Sequence, residues 1–217
     1  MMKPHLLFFD LDGTISDTEP DIRAAWLAGI AALGLECPAF DSVFRVGPSL
    51  PETAKMLFPA VSGELREKIM VSYKKYYDDA DSYTALPYPG MIEVMKELAG
   101  RGCKIFAVTN KRFKPTKKLM EKFGLLSALC GIVTPDIVSP EYLLSKPDMV
   151  KLALRISALD VPQLALMVGD TEIDINAGKA NGLSTCGVTW GYALPGVLEK
   201  SAPDYIIDAP AELLTLL

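Results

Sequence analysis

Short runs of apolar residues alternate with longer amphipathic segments along most of this 217-residue chain. Apolar runs without polar alternation are typical of strands that are buried on both faces. They predict six strands, at residues 6–9, 104–108, 131–133, 164–168, 183–188 and 205–207. Helical periodicity between them predicts helices at residues 91–101, 115–123, 149–159 and 173–180. This alternation indicates the α/β class, with a parallel sheet covered by helices on both faces.

The segment from residue 17 to residue 86 contains no convincing strand. Its apolar periodicity predicts helices at residues 20–33, 50–58 and 64–77, and Pro20 occupies the favoured first turn of the first helix. We therefore predict two domains. Residues 1–16 and 87–217 form an α/β core domain, and residues 17–86 form an all-helical cap domain inserted after the first strand.

The composition narrows the classes of protein that fit the chain. Half of the residues are apolar, which excludes a disordered chain, yet no apolar stretch approaches the roughly 18–20 residues of a membrane span. Against 27 acidic residues there are 22 lysines and arginines, a formal net charge of −5, so neither nucleic acid nor a membrane is an expected partner. The start of the chain shows no signal-peptide cleavage region, and we expect a cytoplasmic protein.

Cysteine and histidine offer little chemistry. The four cysteines are widely separated, and a free cysteine is by default a small buried hydrophobic residue. With His5 as the only histidine, a zinc site of the usual Cys/His kind is disfavoured. An enzyme with this sequence must work with carboxylates.

Polar residues follow four of the predicted strands, where the carboxyl ends of parallel strands meet at one edge of the sheet. They are Asp10 and Asp12 with Gly13, then Thr109 and Asn110, then Lys146 after a loop, and Asp170 with Asp174. Taken singly, two of these residues have another interpretation: Asp174 as a helix cap and Lys146 as a solvated surface charge. At about 4 Å each pair of carboxylates repels by roughly 1 kcal/mol in water and about 4 kcal/mol at an effective dielectric of 20. An oxygen-rich site without histidine suits Mg²⁺, which would neutralise this charge.

These residues stand in motifs that resemble those of the haloacid dehalogenase-like (HAD) superfamily of hydrolases, in particular phosphoglycolate phosphatase-like members with a helical C1 cap. The matching stretches are Asp10-Leu11-Asp12-Gly13-Thr14, Val108-Thr109-Asn110-Lys111, Ser145-Lys146-Pro147, Gly169-Asp170-Thr171 through Asp174, and residues 177–192. The resemblance implies a Rossmann-like core beneath the cap. One departure is Asp148-Met149, where relatives usually have proline two residues after the Lys-Pro pair. We expect it to change the start of the following helix only slightly.

The resemblance also implies residue roles in phosphate-ester hydrolysis. Asp10 is then the nucleophile that forms an aspartyl-phosphate, and Asp12 the acid and base. Thr109 and the backbone of Asn110 hold phosphoryl oxygens, while Lys146 neutralises charge on the phosphate and the nucleophile. Mg²⁺ is the implied cofactor. Its implied ligands are the Asp10 carboxylate, the Asp12 carbonyl, Asp170, and Asp174 directly or through water.

The cap of such enzymes covers the leaving group. The turn at residues 45–49 is predicted to reach the active site, with Arg23, Arg45 and Lys55 as candidate partners of a substrate carboxylate. Lys111 is predicted as a substrate contact at the rim of the site. Trp190 and Tyr192 are predicted either to line its entrance or to form a packed loop.

The leading functional hypothesis is a Mg²⁺-dependent phosphomonoester hydrolase for a small phosphorylated metabolite, with 2-phosphoglycolate as the best single candidate. A pyrophosphatase or nucleotidase with the same core is the alternative. A sugar phosphomutase is disfavoured because Leu50-Pro51 stands where those caps generally have a basic residue. A non-catalytic binding protein is disfavoured because Asp10, Asp12 and Lys146 are all present. The sequence fits a monomer or a homodimer.

Overall fold

The computed structural model describes residues 5–139, 142–158 and 162–217. Its strands are β1 (Leu6–Phe9), β2 (Ser16–Asp17), β3 (Leu86–Pro87), β4 (Lys104–Val108), β5 (Gly131–Val133), β6 (Ala165–Gly169), β7 (Ser184–Val188) and β8 (Tyr205–Ile207). Its α-helices are α1 (Glu19–Ala32), α2 (Phe40–Val43), α3 (Leu50–Leu57), α4 (Gly63–Tyr77), α5 (Met91–Gly100), α6 (Phe113–Lys122), α7 (Lys146–Ser157), α8 (Glu172–Ala180), α9 (Val197–Lys200) and α10 (Leu213–Leu216).

Six of these strands form one parallel sheet in the order β5-β4-β1-β6-β7-β8. This confirms the predicted α/β fold. β6 begins and ends one residue later than predicted, because Gly169 continues the ladder opposite Gly187. α7 begins three residues before its predicted start, and its predicted end at residue 159 lies outside the described residues.

Both faces of the sheet are buried, because successive side chains of a strand point to opposite faces. In β1, Leu7 and Phe9 pack in the cluster that contains the apolar residues of α5, α6 and α10. Leu6 and Phe8 pack on the other face, in the cluster that contains those of α7 and α8. The helices therefore cover the sheet on two sides, and β1 runs through the centre of the core.

The helical segment α1–α4 lies between β2 and β3, two short strands that pair antiparallel with Ser16 opposite Pro87. The sequence does not predict this ribbon, because two-residue strands carry no periodicity, and it also misses the single turn of α2. Inside the segment, Trp26 of α1 stacks on Tyr73 of α4, with ring centres 4.4 Å apart. The ribbon lies at the predicted domain boundary, and the division into core and cap domains stays a prediction.

Residues 79–85, which lead from the helical segment back to the sheet, lie along helix α6. Three lysines of α6, spaced one turn apart, bind this stretch. Lys114 pairs with Asp79, Lys118 donates to the carbonyl of residue 80, and Lys122 donates to the carbonyls of residues 83 and 85. Residues 79–85 are thus held on a helix of the core.

Two predictions from composition concern membrane-spanning helices and the cysteines. Within the described part of the chain, no helix is both long and apolar enough to cross a membrane. All four cysteines are free, but only Cys186 is buried, and Cys130 is exposed because it lies just before the edge strand β5.

Candidate active site

The carboxyl edge of the sheet brings three acidic residues together. Asp10 follows β1, Asp170 follows β6, and Asp174 lies in the first turn of α8. One carboxylate oxygen from each lies within 4.8 Å of the others, and all three residues are buried. They are the three acidic side chains that the sequence predicts as metal ligands.

Hydrogen bonds fix the orientation of these carboxylates. Asp170 accepts hydrogen bonds from the Thr14 hydroxyl at 3.0 Å and from the backbone N–H of Tyr192 at 2.7 Å. Asp174 Oδ2 accepts from the backbone N–H and the hydroxyl of Thr171, which completes a capping box at the start of α8. Asp174 is therefore both a helix cap and a member of the acidic cluster.

Glycine is required on two sides of the cluster. Gly13 has φ of +79°, and a Cβ there would lie 2.2 Å from Asp170 Oδ2. A Cβ on Gly169 would lie 2.2 Å from the Cβ of Asp174. Because neither position has room for a side chain, both glycines allow the carboxylates to approach the backbone closely.

Lys146 neutralises part of the acidic cluster. It is the first residue of α7, and its Nζ lies 2.8 Å from Asp10 Oδ1 and 2.8 Å from Asp174 Oδ1. Its side chain is only 3% exposed, so the alternative of a solvated surface charge is wrong. Burial lowers the pKa of Lys146, but the two carboxylates outweigh this effect and leave the pKa raised, so the amine is charged.

The acidic cluster has the properties of a cation site. Burial raises the pKa of Asp170 well above its usual value, and the neighbouring Asp174 and Asp10 carboxylates raise it further. Burial also raises the pKa of Asp174, against the lowering effect of Lys146, and Asp174 Oδ1 has no well-directed hydrogen bond. When all three carboxyl groups are ionised, they and the lysine carry −3 + 1 = −2. Such an oxygen-only donor set with this charge fits a hard divalent cation.

The side chain of Asp12 points away from this cluster. Its Oδ1 accepts a hydrogen bond from the Thr18 hydroxyl at 2.6 Å and lies 2.9 Å from Lys111 Nζ. Burial raises the pKa of Asp12, and the positive charge of Lys111 opposes this shift. The sequence predicts only the carbonyl of Asp12 as a metal ligand, and the position of its carboxyl group leaves that group available for proton transfer.

The end of β4 supplies groups that suit an anion. Thr109 is buried, its hydroxyl accepts a hydrogen bond from the N–H of Lys111 at 3.2 Å, and the Asn110 amide donates to the carbonyl of Gly47 at 2.8 Å. Lys111 is not at the rim of the site. Its side chain is 3% exposed, because it extends inward to Asp12 and to the Tyr77 hydroxyl at the end of α4.

A cavity of about 60 Å³ joins these residues to the helical segment. The turn at residues 45–49 contributes to its lining, together with Asp10, Asp12, Thr109, Asn110 and Lys111. A larger cleft, of about 730 Å³, lies beside Asn110 and Lys146 between the helical segment and the loop before α7.

The predicted substrate contacts of the helical segment differ in position. Arg45 lines the cavity, and its guanidinium donates to the carbonyls of Phe44 and Ser42. Arg23 does not line it, because its guanidinium pairs with Asp41 and Glu19. Lys55 is exposed and is likewise absent from the lining.

Two residues near the site have positions that the sequence does not predict. The Tyr77 hydroxyl lies 2.6 Å from Lys111 Nζ, although the sequence predicts no contact between the end of this helix and the site. The Tyr192 hydroxyl accepts from the N–H groups of Thr18 and Glu19 and donates to Asp17, so it holds the start of α1. Trp190 donates to the carbonyl of Thr14, and these contacts favour the packed loop over an entrance.

The fold and the acidic centre define an α/β enzyme that works with carboxylates and a buried lysine at the carboxyl edge of a parallel sheet. A sequence profile of the haloacid dehalogenase-like hydrolases matches residues 7–188. The chain belongs to this family, which confirms the resemblance that its motifs indicate. The prediction of an enzyme of the phosphatase type is confirmed with it.

Similarity to known proteins extends over nearly the whole chain. It is 34% identical over 216 residues to a phosphoglycolate phosphatase from Neisseria gonorrhoeae, covering 94% of this chain and 89% of that protein. It is 30% identical over 218 residues to the pyrophosphatase PpaX from Bacillus cereus, covering 100% of this chain and 97% of that protein. A haloacid dehalogenase-like hydrolase from Streptococcus pneumoniae superposes with a TM-score of 0.84 at 25% identity, covering 98% of this chain and 97% of that structure.

Proposed function

We propose that this protein is a Mg²⁺-dependent phosphomonoester hydrolase that acts through an aspartyl-phosphate on Asp10, with 2-phosphoglycolate as its substrate. The observation that carries the proposal is the position of Asp10. Its carboxylate follows the central strand β1, is held at 2.8 Å by the charged amine of Lys146, and lines the cavity beside Asp12.

In the first step, the free oxygen of the Asp10 carboxylate attacks the phosphorus atom. The bond between phosphorus and the ester oxygen breaks, and Asp12 donates its proton to the departing alkoxide. The raised pKa of Asp12, which burial causes, keeps a proton on this acid at a higher pH than on an exposed aspartate. Thr109 and the backbone N–H groups after β4 hold the phosphoryl oxygens.

In the second step, water hydrolyses the aspartyl-phosphate. Asp12, now ionised, takes a proton from the water as the water oxygen bonds to phosphorus, and the bond from phosphorus to Asp10 breaks. Inorganic phosphate leaves and both carboxyl groups return to their starting states. Lys146 stays charged throughout and stabilises negative charge next to Asp10.

Asp10, Asp170, Asp174 and the carbonyl of Asp12 would hold the Mg²⁺ ion. When bound, it supplies positive charge that neutralises the acidic cluster and the phosphate. A helical cap formed by residues 17–86 would close over the leaving group and exclude water.

The size and lining of the cavity support a small substrate. The cavity beside Asp10 and Asp12, at about 60 Å³, favours a small leaving group such as glycolate, whereas the cleft of about 730 Å³ beside Lys146 has room for a larger one. Arg45 lines this cavity, and no carboxylate of the described residues pairs with it. It is the cap cation that we assign to the substrate carboxylate.

Hydrolysis of pyrophosphate is the second candidate, because a relative of nearly full coverage is the pyrophosphatase PpaX. Its leaving group is a phosphate, which the same cations would bind. The two candidates differ in the group that Arg45 would bind: the carboxylate of 2-phosphoglycolate or the second phosphate of pyrophosphate.

The test is phosphate release from 2-phosphoglycolate, pyrophosphate, a nucleoside monophosphate and 4-nitrophenyl phosphate, each with Mg²⁺ and with EDTA. We expect Mg²⁺-dependent turnover, fastest on 2-phosphoglycolate and lost in Asp10→Asn. Asp208→Asn, an exposed aspartate away from the site, is the matched control and should keep full activity. Turnover that survives in Asp10→Asn would contradict the nucleophile, and a preference for pyrophosphate would select the second candidate.

A further inference from the structure

We propose that Lys111 is a positioning residue which, together with Tyr77 of the helical segment, holds the Asp12 carboxyl group toward the leaving group of the substrate. This role rests on the proposed function, since Asp12 is the acid and base of that reaction. It replaces the substrate contact that the sequence predicts for Lys111.

The ammonium group of Lys111 is enclosed between the sheet and the helical segment. Its Nζ lies 2.9 Å from Asp12 Oδ1, 2.6 Å from the Tyr77 hydroxyl and 4.4 Å from the centre of the Tyr77 ring. The last distance is within the range of a cation–π interaction. A buried ammonium is stable only with such partners. Lys111 therefore binds Asp12 on one side and Tyr77 on the other.

Both contacts to the Asp12 carboxyl group fall on one oxygen. Thr18 donates its hydroxyl hydrogen to Oδ1, and Lys111 lies against the same atom. Oδ2 has no side-chain partner in the described part of the chain, and Asp12 lines the cavity beside Asp10. Oδ2 is thus the oxygen that can carry the proton for the leaving group. Loss of Lys111 would leave Thr18 as the one group that fixes the carboxyl plane.

Tyr77 connects this pair to the helical segment. It is the last residue of α4, and its ring stacks on Tyr73 with centres 5.5 Å apart. Its backbone carbonyl accepts the Tyr83 hydroxyl at 2.8 Å. Because Tyr77 ends α4 and Lys111 follows β4, their contact exists only while the helical segment is seated on the sheet. Seating of that segment and orientation of Asp12 are therefore linked.

The experiment compares two substrates that differ in their need for an acid. The first substrate is an alkyl phosphate, either 2-phosphoglycolate or the alkyl phosphate that the wild-type protein hydrolyses fastest. Its leaving group is an alkoxide, which requires a proton. The second substrate is 4-nitrophenyl phosphate, whose leaving group is a stable phenolate that requires none. The variants are Lys111→Met, which keeps the unbranched apolar stem and removes the charged terminal nitrogen, and Tyr77→Phe, which removes one oxygen atom. Tyr76→Phe is the matched control, because it removes the phenol of the neighbouring residue of α4, whose side chain is exposed.

We expect Lys111→Met to lower kcat/KM for the alkyl phosphate by about 100-fold, the lower end of the contribution of a general acid. Its effect on kcat/KM for the aryl phosphate should stay below about threefold, because kcat/KM covers the steps up to formation of the aspartyl-phosphate and not its hydrolysis, in which Asp12 serves both substrates. Tyr77→Phe should show the same selectivity in kcat/KM, at about tenfold on the alkyl phosphate. Tyr76→Phe should show no selectivity between the substrates. Melting temperatures measured without metal report separately on the fold of each variant.

Three results would overturn this role. Equal losses of kcat/KM on both substrates would assign a merely structural effect to Lys111. A raised KM for 2-phosphoglycolate with an unchanged kcat would make it a substrate ligand. The same selectivity in Tyr76→Phe would show that the effect does not belong to the Tyr77 hydroxyl. If Lys111→Met does not fold, Tyr77→Phe alone decides between these results. A wild-type protein that hydrolyses neither substrate contradicts the proposed function instead, so the two failures are distinguishable.

Discussion

Replacing Asp170 by asparagine should make the metal-free protein more stable while it destroys the response to metal. Asp170 is buried within 4.8 Å of two other carboxylates, and without a cation this arrangement is repulsive. Asparagine has nearly the same shape and removes the charge. Its oxygen can accept from the N–H of Tyr192, and its amide can donate to the Thr14 hydroxyl, so both present contacts are retained in kind.

Coulomb's law sets the size of the effect. Two charges 4.8 Å apart repel by about 3.5 kcal/mol at an effective dielectric of 20. Lys146 offsets about one of the two neighbouring charges, since it lies 2.8 Å from both Asp10 and Asp174. Protonation of Asp170 removes part of the remaining repulsion. We therefore expect the substitution to raise the free energy of unfolding of the metal-free protein by about 2 kcal/mol. For a domain of this size this corresponds to a melting temperature about 4–8 °C higher.

The assay is thermal unfolding in EDTA and in excess Mg²⁺, with phosphate release measured in parallel. Wild-type protein at 100 times its Kd for Mg²⁺ should gain about 2.7 kcal/mol, and Asp170→Asn should lose most of this gain together with its activity. Asp204→Asn is the control, because Asp204 accepts hydrogen bonds from Thr185 outside the cluster. It should lower stability slightly and keep the full Mg²⁺ response. A metal-free Asp170→Asn protein that is less stable than wild type would refute the repulsion, and an intact Mg²⁺ response would refute the ligand role.

Three further predictions concern the same centre. Gly169→Ala places a Cβ 2.2 Å from the Cβ of Asp174, so it should displace this carboxylate. The turnover rate, measured by phosphate release, and the affinity for Mg²⁺, measured by calorimetric titration, should each fall by at least about tenfold. Because the pKa values of Asp170 and Asp174 are raised, the folded protein keeps protons that the unfolded chain releases above about pH 4. Metal-free stability should therefore fall as pH rises above about 4, and the melting-temperature gain from Mg²⁺ should be larger at pH 7.5 than at pH 5; the reverse order would contradict the assigned shifts. Tyr192→Phe removes a hydroxyl that binds the start of α1, including the N–H of Thr18 at 2.7 Å, and should lower stability by about 1–2 kcal/mol in a denaturant titration.

The sheet could be predicted from the sequence because its strands are short apolar runs whose residues are almost fully buried, as in Leu6–Phe9. The first residues of the helices were harder to predict from the sequence. α7 begins at Lys146, where Ser145 accepts from the N–H of Asp148 and Pro147 occupies the first turn. These are signals of a helix start, but polar residues before an apolar stripe also look like a loop.

The acidic centre could be predicted because each acid directly follows a strand or opens a helix at one edge of the sheet. The environment of Lys111 could not be predicted, because its partner Tyr77 is 34 positions away and belongs to the helical segment rather than to the sheet. The contact between Tyr192 and Thr18 spans 174 positions. Local periodicity carries no information about such contacts, which arise only when the helical segment packs on the sheet.

The charges at the centre explain why metal should govern binding of the phosphate as well as its hydrolysis. With Asp12 protonated and Asp10, Asp170 and Asp174 ionised, as at a pH above the raised pKa values of Asp170 and Asp174, the three carboxylates contribute −3 and the two lysines of the site contribute +2, which leaves −1. A phosphomonoester dianion would meet a net repulsion there. A divalent cation changes the sum to −1 + 2 = +1, and the dianion then enters a positive site. Phosphate should therefore protect the protein against thermal unfolding only when Mg²⁺ is present, and protection of equal size in EDTA would contradict this order of binding.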